Sequence, residues 1–186
     1  MEKNVLLGVT GGIAAYKAAD IIGALQKNGF EVKVIMTEKA KEFITPLTLS
    51  SLSKHPIYDD SMEWSPNGKI EHIELSSWAD VFLIAPATAN TIAKISNGVA
   101  DNLLTSAYLA YNFHFSVEKY IVICPAMNTL MYLDGKTQSN IETIQRKSNH
   151  HFVEPVEGIL ACGATGIGKL APTRSIVEKV MSLYKV

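Results

Sequence analysis

Five short segments carry residue types that could do chemistry. Thr10-Gly11-Gly12-Ile13 sets two glycines directly after an apolar run. Glycines there let backbone N–H groups come close to an anion at a helix start. Pro86-Ala87-Thr88-Ala89-Asn90-Thr91 offers two hydroxyls and an amide where a second apolar run ends. His72, in His72-Ile73-Glu74-Leu75, is the side chain most easily poised for proton transfer near neutrality. Pro125-Ala126-Met127-Asn128 follows a third apolar run, and an asparagine amide binds a carboxylate without adding charge. Cys162, in Leu160-Ala161-Cys162-Gly163, sits in a glycine-rich stretch, where a thiol can close over a site and deliver a proton.

Each segment also has a plain structural reading. The glycines make a tight turn, Thr88 and Asn128 make helix caps, His72 is a satisfied histidine, and Cys162 is a surface thiol. The first turn is not G-x-G-x-x-G, and the second strand ends in Met36-Thr37. A dinucleotide ribose would want a carboxylate there; a mononucleotide phosphate or a flavin ribityl chain fits better. Cys124 ends an apolar run and reads as core.

The elements that must position these residues follow from hydrophobic patterning. Val5–Val9, Val81–Ala85 and Tyr120–Cys124 are continuous apolar runs, which strands covered on both faces require. Helices are expected over Ile13–Lys27, Thr88–Ser96, Asn102–Tyr111, Thr137–Lys147 and Thr173–Tyr184, with further strands at Glu31–Met36 and Phe152-Val153. Asn28-Gly29 is a helix stop, and Pro172-Thr173 a start. Strand, glycine turn, helix and strand make a right-handed βαβ unit. The alternation predicts a three-layer α/β/α doubly wound parallel sheet over residues 1–186 as one domain. His55–Gly68 is turn-rich. Glu157–Pro172, with Gly158, Gly163, Gly166 and Gly168, is expected to be a mobile loop.

Composition narrows the function classes. Of 186 residues, 47% are apolar and 19% charged, and 17 Lys plus Arg stand against 18 Asp plus Glu. No basic block points to nucleic acid, and no apolar stretch approaches the roughly 20 residues that span a bilayer. Neither a nucleic-acid nor a membrane partner is expected. The two cysteines give no disulfide framework, and a cytoplasmic location is the default. No metal site is expected.

Together the five segments, with Ala14-Ala15-Tyr16-Lys17 after the turn and Met131 after Asn128, resemble the flavin-dependent cysteine decarboxylase family. The resemblance runs from Val5 to about Pro172. It implies a Rossmann/flavodoxin-like fold and bound FMN, contacted by Gly11, Gly12, Ile13, Thr37, Phe43, Thr88, Ala89, Asn90, Thr91 and Ala126. It implies that FMN oxidises the carbon next to sulfur in a terminal cysteine to a thioaldehyde. CO2 then leaves, and the remaining enethiolate is reduced back. His72 would be the base and Cys162 the acid, while Asn128, Met127 and Ala161 would hold the substrate. The loop cysteine is what members acting on 4'-phosphopantothenoylcysteine in coenzyme A biosynthesis carry; peptidyl-cysteine decarboxylases as a rule lack it. Members are homo-oligomers, trimers or dodecamers built of trimers, with FMN at the subunit interface. Trp64, Trp78 and several tyrosines near the site segments are consistent with such an interface. The chain ends at Val186, so a stand-alone form with a separate phosphopantothenate–cysteine ligase is expected.

Overall fold

In the computed structural model, which describes residues 3–62, 70–111, 119–161 and 163–184, the apolar runs become strands of one parallel sheet. β1 (Asn4–Val9) is buried throughout. It passes through the glycine turn and a 3-10 turn at Ile13–Tyr16 into α1 (Lys17–Lys27). That helix buries Ala18, Ile21, Ile22 and Leu25, the i, i+3, i+4, i+7 stripe of one helix face. Gly29, at φ +80°, ends it in the left-handed conformation. There follow β2 (Glu31–Met36), α2 (Pro46–Ser53), β3 (Ile57–Tyr58), α3 (Glu71–Trp78), β4 (Val81–Ala87), α4 (Ala89–Ser96), α5 (Leu103–Tyr111) and β5 (Tyr120–Pro125). The chain closes with α6 (Thr129–Leu133), α7 (Gly135–Gln145), β6 (His150–Phe152), β7 (Val156–Ile159), β8 (Thr165–Lys169) and α8 (Thr173–Ser182).

The six-stranded sheet has the order β3-β2-β1-β4-β5-β6, and every pairing in it is parallel. This is the order of a Rossmann-type doubly wound sheet, with the winding reversing between β1 and β4. Strand alternation sorts two cores. Val5, Leu7 and Val9 pack with the α1 and α8 side chains. Leu6, Phe82 and Ile84 pack with α3, α4, α5 and α7. The expected three layers are present.

Two expectations change. Glu157–Pro172 is not an unpaired loop: β7 and β8 form an antiparallel hairpin. Two of its glycines allow close packing. A Cβ at Gly166 would collide with the Thr129 side chain, and one at Gly168 with the Met127 carbonyl. The segment holding His72 is a helix, α3, within a stretch where no helix was expected. The α2 helix was also unread, although Thr45 caps it and Pro46 stands in its first turn.

Candidate functional site

The carboxyl ends of β1, β2, β4 and β5 open into a cleft of about 1100 Å³. It lies at the topological switch point, where doubly wound sheets bind ligands. Thr10 organises its floor. The buried Thr10 hydroxyl donates to the Pro86 carbonyl at 2.7 Å and accepts from the Thr88 N–H at 3.1 Å. The glycine turn and the β4–α4 turn are thereby held to each other. Nothing in the pattern around Thr10 beyond its place in the turn assigns it this task. The available signal was that a hydroxyl at the end of a fully buried strand must find partners.

Gly11, Gly12 and Ile13 line the cleft. A Cβ at Gly11 would strike Lys39, main chain included. Gly12 is extended at φ −157°, and a Cβ there meets only a Thr88 methyl at 3.7 Å. So Gly11 is demanded by packing and Gly12 is not. Across the cleft, Thr88 caps α4 by accepting from the Thr91 N–H at 3.3 Å, and its hydroxyl donates to the Thr91 hydroxyl at 3.2 Å. The cap is therefore real. Ala89, Asn90 and Thr91 line the cleft as well, at a helix start whose first N–H groups have no intrahelical acceptor.

Thr37 lies just beyond β2, and its Oγ1 is buried without a hydrogen-bond partner. An orphaned hydroxyl beside a glycine turn and an open helix N-terminus is a cradle for a phosphorylated or polyhydroxylated ligand. The residues present therefore fit FMN.

Ala126, Met127, Asn128 and Ala161 line the same cleft, with Met131 and Leu160 beside them. Asn128 Oδ1 caps α6, accepting from the Leu130 N–H at 2.8 Å. The Met127 N–H donates to the Gly168 carbonyl at 3.0 Å, so the hairpin is docked on the Asn128 loop. Cys162 lies outside the described residues, as does Trp64. On either side of Cys162, Leu160 and Gly163 are joined by an N–H to carbonyl bond of 2.9 Å.

Two of the expected residues are elsewhere in this chain. Phe43 is 43% exposed and does not line the cleft. His72 lies in a separate apolar dent of about 310 Å³ with Ala100, Ser106, Leu109 and Ala110. Its Nδ1 is buried without a partner. Cys124 is wholly buried, and burial raises its thiol pKa, as suits an inert core cysteine.

Fold and cleft together define a nucleotide-binding, doubly wound α/β protein. A family model described as flavoprotein matches residues 1–185, and the chain belongs to that family. It is 47% identical over 180 residues to a probable phosphopantothenoylcysteine decarboxylase of Streptococcus mutans, covering 97% of this chain and 98% of that one. It is 43% identical over 177 residues to the coenzyme A biosynthesis bifunctional protein CoaBC of Bacillus subtilis, where it spans 95% of itself but only 42% of that protein. A PPC decarboxylase mutant complexed with pantothenoylaminoethenethiol superposes over 100% of both chains with TM-score 0.87 and 30% identity. The FMN-binding protein AtHal3 does so over 100% and 98%, with TM-score 0.84 and 31% identity.

Proposed function

We propose that this chain binds FMN in the cleft and decarboxylates 4'-phosphopantothenoylcysteine to 4'-phosphopantetheine, a step in coenzyme A biosynthesis. The observation that carries this best is that a turn-and-helix-start cradle with an orphaned hydroxyl shares one cleft with a side-chain amide. Gly11, Thr37 and Thr88 to Thr91 make the first; Asn128, in the same lining as Ala161, makes the second.

FMN, when bound, supplies the reversible two-electron oxidation that turns the substrate's cysteine end into a group able to release CO2. The chain's residues do the rest. The backbone N–H groups at Ala89 and Asn90, with the Thr37 hydroxyl, hold the phosphate and ribityl oxygens. Asn128 orients the substrate carboxylate without a positive charge that would oppose its loss, and Met127 and Ala161 close around it. Cys162 gives a proton to the sulfur-stabilised carbanion left by CO2.

His72 is the base for the oxidative step, and it serves the cleft of a neighbouring copy. In its own chain it faces the α3–α5 dent, and Ile70 and Ile73 beside it are 45% and 43% exposed. Apolar side chains around an unpaired buried nitrogen suit an interface core. The assembly is a homo-oligomer, a trimer or a dodecamer built of trimers, with FMN at the boundary. Phe43, exposed in this chain, contacts FMN from a neighbouring copy. Residues 1–186 work as one flavoprotein decarboxylase domain in the cytoplasm, with the cysteine ligase as a possible partner. Among the described residues no helix is long and apolar enough to cross a membrane.

An absorption spectrum of the purified protein tests the cofactor: flavin bands, or their appearance on adding FMN, are expected. A colourless protein that takes up no FMN would overturn the reading.

A further inference from the structure

The helix that carries His72 is held at its far end by one lysine. The last carbonyls of a helix have no intrahelical donors. At the end of α3 the Lys119 ammonium donates to the carbonyls of Ser76, Ser77 and Ala79 at 2.6, 2.9 and 2.7 Å. The Asn4 side-chain amide takes the Trp78 carbonyl at 3.1 Å. All three ammonium donors are thus engaged, in the place where the helix dipole favours a cation.

The same ammonium lies 5.1 Å from the centre of the Tyr111 ring, at the end of α5. The Tyr111 hydroxyl in turn donates to the Asp80 carbonyl at 2.6 Å. Lys119 therefore joins α3 to α5, and these two helices make the dent around His72: Ser106, Leu109 and Ala110 all belong to α5. The start of α3 has no side-chain cap. A helix of eight residues is too short to be stable without tertiary support, and the Lys119 end supplies part of that support. Burial pushes the Lys119 ammonium's pKa down, with the Asp80 carboxylate opposing.

We infer that Lys119 is a positioning residue, clamping α3 against α5 so that the His72 ring is presented in one orientation. This rests on the base role proposed for His72. The FMN-loaded Lys119→Met variant is expected to lose about tenfold in kcat, with KM and FMN affinity held within about twofold, since a charge-assisted clamp and not a ligand contact is removed. Amide hydrogens of residues 71–78 should exchange about tenfold faster while those of α1 and α8 do not change. Lys119→Arg, which can still donate to those carbonyls, should restore both. Lys119→Gln carries the same readouts if the methionine variant does not fold. Unchanged kcat and exchange, a loss of FMN affinity matching the loss of kcat, or failure of the arginine to rescue would each overturn the inference. If the wild type itself gives no turnover, the decarboxylase reading fails. The clamp is then judged by α3 exchange and the His72 ring NMR signal, neither of which needs substrate.

Discussion

The Thr10 hydroxyl and the Pro86 carbonyl, 76 residues apart in sequence, meet at 2.7 Å in the floor of the cleft. The bond crosses from β1 to β4 at the point where the winding of the sheet reverses. It sets the distance between the glycine turn and the β4–α4 turn. Thr10→Val keeps the shape but leaves the Pro86 carbonyl and the Thr88 N–H without that partner, at a cost of about 1–3 kcal/mol. Thermal melts of the apoprotein should show a lower Tm, and flavin titration a weaker affinity, for the valine but not for Thr10→Ser. A valine variant equal to wild type in both would show that the bridge does not hold the cleft.

The two glycines of the first turn should differ. Gly11→Ala forces a methyl group onto the Lys39 backbone, and overpacking of this kind costs about 1–3 kcal/mol. Gly12→Ala meets only a methyl at ordinary contact distance, so the apoprotein should tolerate it. Denaturant unfolding of the two apo variants separates them, and equal stability would contradict the geometry.

Acid should destabilise the fold through His150. Its ring bonds the buried Tyr108 hydroxyl at 2.8 Å. Burial, with the charges of Lys147 and His151 adding, brings its pKa down to about 4. Above the ordinary histidine pKa of about 6.5 neither state is protonated there. As the pH falls below that value the unfolded chain binds a proton that the folded one refuses, so stability drops. Near pH 4 the folded protein binds it too and the loss levels off. His151, also lowered by burial and Lys179, acts in the same direction. Unfolding free energies measured across this window should fall with pH, and His150→Gln should flatten that slope; an unchanged slope would place the titration elsewhere.

If His72 serves a neighbour's cleft, activity can be rebuilt from two dead proteins. His72→Asn and Asn128→Ala subunits should each bind FMN and each lack turnover. Mixed and reassembled, they should regain a fraction of wild-type activity, because some boundaries then join an intact His72 to an intact cleft. Mixtures as inactive as their parents, despite verified subunit exchange, would return His72 to its own chain.

The strands and their order of appearance were legible because buried parallel strands are short continuous apolar runs, as Val81 to Ala85 is, bounded by turn residues. Helix α3 was not, since Glu71 to Trp78 shows little apolar periodicity and only Leu75 and Ser76 are buried. The β7–β8 hairpin was hidden by its glycines, which depress strand propensity yet are what allow it to lie on Thr129 and Met127. Of the site, the residues at strand ends came together as their positions implied. The place of His72 away from that cleft depends on how α3 packs on α5, which no local pattern in the sequence encodes. Lys119 was silent for the same reason: its three acceptors are main-chain carbonyls about 40 residues away.

Mass spectrometry of purified, FMN-loaded protein incubated with 4'-phosphopantothenoylcysteine tests the central claim most directly. Conversion to 4'-phosphopantetheine with release of CO2 is predicted. Unchanged substrate, alongside decarboxylation of a peptide ending in cysteine, would contradict it.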